Sequence, residues 1–207
     1  MPVGCCGEKM GRNHLDVHLP SKLRLSVEET NMRSFEEPRI AKGTIAGLIG
    51  GLAGALAMNE FQAVTQGVQH AWRRSAHQPE KPQQQGQSEA DDATMKTADR
   101  IATLVSNRHL TREQKKKAGP IVHYAFGALA GALYGALAEL TPMVTKGKGT
   151  GYGAAIWLGG DEIAVPKLGL SASPSEFPIS VHAKALASHL LYGANLDLVR
   201  RGVRAAL

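Results

Sequence analysis

The chain has little of what holds most soluble domains of its size together. Only two cysteines occur among its 207 residues, Cys5 and Cys6, adjacent and in a stretch without periodicity. That excludes a disulfide framework and provides no zinc-ligand spacing. Aromatic residues amount to 5%. No aromatic-rich basic motif or recognition-helix pattern accompanies the net charge of +6, so no nucleic-acid partner is expected. A Gly-x-Ser-x-Gly elbow, a His-Glu-x-x-His zinc motif and a Glu-x-x-His di-iron motif are all missing, and Lys146–Thr150 (KGKGT) lacks the order of a phosphate loop. Nothing therefore supports an enzyme. No apolar run precedes Cys5, so neither a cleavable signal nor a lipoprotein anchor is expected there, Pro2 excludes myristoylation, and Met32 is a second candidate start.

Charge is also missing locally. Pro120–Leu140 (PIVHYAFGALAGALYGALAEL) carries no charged residue for nineteen positions, and His123, Gly127, Gly131, Gly135 and Glu139 recur every fourth residue, on one helical face. A helix of this length reaches roughly 30 Å, the hydrocarbon thickness of a bilayer, and a glycine stripe lets membrane helices approach closely. Gly43–Met58 repeats the pattern with Gly43, Gly47, Gly51 and Ala55, and with a second pair at Gly50 and Gly54. In a soluble helix each such glycine loses about 0.8–1 kcal/mol relative to alanine, so close packing has to compensate.

The mean hydropathy, slightly negative, hides this division because polar residues concentrate in two blocks. The spacing predicts an all-α, polytopic membrane helix bundle of about four membrane segments with glycine-stripe packing, its lipid partner being the bilayer. Residues 1–42 form a polar N-terminal extension, 43–66 membrane helix 1, 67–118 a polar loop, 119–141 membrane helix 2, 149–166 membrane segment 3, 179–199 membrane helix 4 and 200–207 a basic tail. Within the loop, Gln78–Asp92 has two prolines and five glutamines and reads as a disordered tether. Met95, Ala98, Ile101, Ala102 and Val105 then keep the spacing of an amphipathic helix lying on the bilayer or the bundle, and Thr111 with Gln114 can cap a further turn. Segment 3 holds the pair Asp161 and Glu162, which leaves its apolar core short enough to be re-entrant, and Pro166 is expected to end it. Basic residues flank the apolar runs, as suits lipid headgroups, but the loop's ten lysines and arginines prevent the positive-inside rule from choosing an orientation.

In an up-down bundle the end of the first segment, the start of the second, the end of the third and the start of the fourth meet at one face. That would bring Glu60, His123, Asp161, Glu162 and His182 to one depth. Imidazole with carboxylate suits a proton relay, and equally a divalent transition metal held by Glu60, His123, Glu162 and His182; packing pairs that fix helix register are the plainer alternative. Beyond that possible metal, no cofactor is expected. Glu139 lies sixteen residues after His123, at the opposite face, where an ion pair with Lys146 or Lys148 is expected. His189, midway along the last helix, needs a hydrogen-bond partner, for which Tyr134 and Tyr192 are the candidates.

The stretch from His123 through Tyr134 and Ala138-Glu139 to Pro142, then Pro166 with Leu168-Gly169-Leu170, and finally His189 with Arg200-Arg201, resembles the YagU-like family of small bacterial inner-membrane proteins, a domain of unknown function. The resemblance covers roughly residues 43–204 and corresponds well from residue 120 onward, the glutamine-rich loop and the first forty residues having no counterpart. It implies a multi-pass protein of the bacterial inner membrane, with a link to acid tolerance for some members and no stated mechanism. Acid tolerance fits intramembrane His and Glu groups whose charge changes with pH. A metal-binding membrane protein or metalloenzyme is the second reading. A structural partner of another membrane protein, or a homo-oligomer packed through an exposed glycine face, is the third.

Overall fold

The computed structural model describes residues 21–75 and 92–207, with side chains from residue 39 in the first stretch. The chain divides into two compact units, Met1–Glu37 and Pro38–Leu207. The cysteine pair and the glutamine-rich tether apart from Asp92 lie outside the described residues. Every described element is helical: α1 (Ser21–Ser75), α2 (Ala93–Ser106), α3 (Arg112–Leu140), α4 (Thr150–Ile156), a π-helix (Trp157–Ala164), α5 (Val165–Lys167) and α6 (Ile179–Ala206), with 3-10 turns at Pro142–Thr145 and Pro174–Glu176.

Local chemistry sets the ends. Asp92 opens α2 by accepting from Met95 N at 2.8 Å and from the Thr94 hydroxyl at 2.7 Å. Asn107 closes it in the left-handed region at φ 51°. Thr111 and Gln114 form a reciprocal capping box. It starts not a further turn of the loop but the whole of α3, which passes through Pro120 without a break and stops one residue short of Thr141-Pro142. Helix α6 begins behind Pro178 and continues past residue 199 to Ala206.

Segment 3 is one continuous helical run from Thr150 to Lys167 whose middle winds as a π-helix. Pro166 does not end it. Gly169, at φ 66°, takes the left-handed position, and Gly169 N donates to Pro166 O at 2.8 Å and Leu170 N to Val165 O at 3.0 Å. This is a Schellman closure, with Leu170 buried as its apolar contact.

Glycine, alanine and tyrosine supply much of the buried surface, whereas many of the large aliphatics face outward. Ala55, Met58, Tyr134, Tyr192 and Leu196 form the core, with Tyr124, Val144 and Tyr152 packed on it. Leu129 and Leu133 on α3 and Ile45 and Leu56 on α1 are all more than half exposed. Where α1 meets α3 the separation leaves no room for a side chain. A Cβ at Gly47 would stand 2.8 Å from Gly135 Cα, one at Gly51 2.9 Å from Gly131 Cα, and one at Gly131 2.6 Å from Gly51 Cα. Gly153 on α4 meets the carbonyl of His189 on α6 in the same way, and a Cβ at Gly50 would lie 2.5 Å from Leu196 O. Tyrosine hydroxyls tie α3 to its neighbours: Tyr192 donates to Gly127 O and Tyr152 to Ala130 O, each at 2.7 Å. A second acceptor lone pair on a helical carbonyl satisfies each buried hydroxyl.

Helix α2 packs on the first turns of α3. Ala98 is buried and Met95 touches the Cβ position of Gly119 at 3.0 Å, whereas Ile101 and Val105 of the same expected stripe are exposed. The corner is held instead by a residue outside that stripe. Asp99 Oδ1 accepts from Leu110 N at 2.7 Å, and its Oδ2 lies 3.2 Å from His109 Nδ1 and 3.4 Å from Lys115 Nζ. These contacts hold the Asp99 carboxyl below its ordinary pKa, the Leu110 N–H contributing most.

Candidate functional site

Two polar clusters sit at opposite ends of α6. At its start, the π-helix presents consecutive carboxylates to two different imidazoles. His182 Nδ1 lies 2.6 Å from Glu162 Oε1, and His189 Nδ1 lies 3.8 Å from Asp161 Oδ2. π-Helical turns are uncommon and concentrate where side chains must be re-aimed, as here, where neighbours in sequence meet histidines seven residues apart on α6. His182 Nε2 lies 3.0 Å from Pro174 O. A carbonyl can only accept, so Nε2 carries hydrogen, and a second proton must then lie between Nδ1 and Glu162. The pair therefore shares one proton across the 2.6 Å contact. His189 Nδ1 lies 2.9 Å from Ala185 O, which assigns its hydrogen to Nδ1.

The other expected members fall differently. His123 Nε2 is buried with no hydrogen-bond partner among the described residues, and its ring stands edge-on to Tyr124 at 5.7 Å. Glu60 is exposed on α1 and joins no ion pair among the described residues. Its neighbour Asn59 instead donates to the Tyr124 hydroxyl at 2.9 Å. No three His, Cys, Asp or Glu side chains among the described residues are grouped as metal ligands would be. Glu162 and His182 are together; Glu60 and His123 do not complete a set with them.

At the far end of α6 two expectations are corrected. Glu139 pairs not with a loop lysine but with arginines. Arg204 donates to it from Nε at 2.8 Å and Nη2 at 3.4 Å, and Arg200 and Arg39 each approach to 4.0 Å. The loop lysines lose this competition because the guanidinium fork grips a carboxylate with two donors. Tyr134 and Tyr192 do not serve His189 either, since Tyr192 is committed to Gly127 and Tyr134 donates to Asp197 Oδ1 at 2.9 Å.

Asp197 escaped notice in the sequence although its side chain is 2% exposed. Besides Tyr134 it takes Arg200 Nη2 at 3.3 Å and Arg201 Nη2 at 2.7 Å. Its spacing of three and four residues to those arginines was a legible signal. Arg200 also lies over the Tyr134 ring at 5.7 Å.

These features define the class: among the described residues every element is helical, and two helices, Arg39–Ser75 and Arg112–Leu140, are long and apolar enough to cross a membrane. The protein belongs to the family described as protein of unknown function (DUF1440), whose model matches residues 83–198, more than half the chain. The YagU-like resemblance is consistent with that match. The match begins inside the glutamine-rich stretch, so α2 and its Asp99 corner belong to the family region, although the resemblance found no counterpart for this loop. None of the curated proteins and none of the solved structures matches the chain.

Proposed function

We propose that the protein is a multi-pass inner-membrane bundle of four glycine-packed segments that takes part in pH or acid homeostasis of the cell envelope, without covalent chemistry. The observation that carries this reading is the pair of imidazole–carboxylate contacts, His182–Glu162 and His189–Asp161, on two antiparallel apolar segments. His182 and Glu162 are close enough to share a hydrogen-bonded proton, and Asp161 stands beside His189 as a second carboxylate near an imidazole. The outward-facing aliphatics and the glycine contacts support the membrane bundle, since exposed leucines beside buried glycines reverse the arrangement water favours. A metal-binding role stands behind this reading because Glu162 and His182 supply two donors where zinc sites take three or four.

A partner-binding role has one observation of its own. Leu104 and Val105 of α2 are 87% and 80% exposed beside the polar turns of α3, and suit a homo-oligomer or a second membrane protein.

The test is proton flux in proteoliposomes that enclose a pH-sensitive dye. Wild type should collapse an imposed pH gradient faster than empty vesicles, and His182→Gln and Asp161→Asn should each slow it at least tenfold. Equal rates for wild type and empty vesicles would refute the proton reading.

A further inference from the structure

Helix α2 leaves three large aliphatic side chains uncovered on one face. Ile101, Leu104 and Val105, at spacings of three and four residues, are each half exposed or more, and Arg108 continues the face one turn beyond Leu104. The bilayer does not reach them. Met95 meets the Cβ position of Gly119, the residue before the uncharged run of α3, and Asp99 meets Lys115 one turn earlier on α3. Those contacts run antiparallel, so α2 points away from the uncharged run and Leu104 stands about 14 Å past Met95 along its axis. A headgroup layer adds only about 5–8 Å to each side of the hydrocarbon, and a tilt of about 40° would still leave Leu104 about 10 Å out.

Charge narrows what can cover the face. Arg100 and Arg108 are exposed and Lys96 is half-buried on the same helix and its end. Asp99 is the one acid between Ala93 and Thr111, and it is occupied by Leu110 N, His109 and Lys115. The strip is therefore aliphatic with a cationic border, and a second copy would bring like charge against it. The adjoining stretch 76–91 has no apolar side chain larger than proline with which to cover it.

We propose that this face of α2 docks an acidic amphipathic helix of a second protein, its apolar side chains packed on Ile101, Leu104 and Val105 and its carboxylates set against Arg100 and Arg108. This rests on the membrane and partner readings above, the first of which sets the height of α2. A helix suits the strip because a ridge of three- and four-residue spacing is matched by apolar anchors of the same spacing on the partner.

The test uses full-length protein in phosphatidylcholine nanodiscs. The probe is a fluorescein-labelled designed helical peptide with a leucine stripe flanked by glutamates, compared with the same peptide carrying lysines in their place. By fluorescence anisotropy the glutamate peptide should bind at least about tenfold more tightly than the lysine peptide. Leu104→Ser/Val105→Ser should weaken it by about tenfold or more through lost apolar burial, and Arg100→Gln/Arg108→Gln should weaken it several-fold and flatten its salt dependence. Val64→Ser/Val68→Ser, on a strip of α1 that is also more than half exposed, should leave the affinity unchanged. The substituted side chains are exposed, so each variant should keep its helical circular dichroism. In native membranes, p-benzoylphenylalanine placed at position 104 should crosslink to an acidic helical segment of another protein. Equal binding of the two peptides, unchanged affinity in Leu104→Ser/Val105→Ser, or crosslinks only to lipid or to this chain itself would each overturn the proposal. Failure of wild type to partition with membranes would instead refute the bundle from which the height of α2 is reckoned.

Discussion

Gly131→Ala adds one methyl inside the α1–α3 contact. Its Cβ would stand 2.6 Å from Gly51 Cα and 2.8 Å from Gly51 N, and nearer still to the carbonyl oxygen of Gly47. Carbon atoms in contact settle at about 3.5–4.0 Å, so the two backbones must part by about 1 Å. Every obstacle is backbone, with no rotamer able to swing aside. Overpacking of this kind costs about 1–3 kcal/mol, against a helix-propensity gain of about 0.8–1 kcal/mol, leaving a net loss of up to about 2 kcal/mol. Gly67→Ala on the same α1 is the matched control, because a Cβ there meets nothing within 4 Å. It keeps only the propensity gain and should stabilise by up to about 1 kcal/mol. Unfolding in mixed micelles with rising dodecyl sulfate, followed by circular dichroism, should therefore move the two midpoints in opposite directions. Equal shifts of one sign would refute the packing argument.

Asp197→Ala leaves the Tyr134 hydroxyl and the buried Arg200 guanidinium without their shared acceptor. Removing one partner of a buried charge pair costs about 3–5 kcal/mol, so the same unfolding assay should show the largest loss among these variants, and a loss under about 1 kcal/mol would mean that water reaches the network. At the α2–α3 corner the Asp99 carboxyl is held below its ordinary pKa by Leu110 N–H, His109 and Lys115. A depressed acid stabilises the fold above its unfolded value and ceases to do so as pH falls through the folded one, so protection of the Leu110 amide against hydrogen exchange should decline below about pH 4. Asp99→Asn should be flat across that window, and an acid-dependent decline in that variant would remove Asp99 as the cause.

The sequence by itself determined the helical class and much of the local punctuation. Glycine every fourth residue and nineteen uncharged positions leave few structures other than a long apolar helix, and Thr111 with Gln114 writes a cap into four consecutive residues. The contact between Glu162 and His182 was legible as well, because antiparallel order places the end of one segment beside the start of the next. What the order of segments could not supply was rotation about each axis. Glu60 is exposed, and only the tertiary structure decides that, because the outcome depends on which face of α1 its glycines commit to α3. The π-helical winding is of the same kind, since one extra residue per turn re-aims Asp161 toward His189 while Glu162 meets His182. The choice of arginine over lysine for Glu139 and the burial of Asp197 also arise from three chain segments meeting in space. Periodicity along one helix names a face, but the partner of that face is set by how several helices pack together, and there the side chains distant in sequence decided where this protein holds its charge.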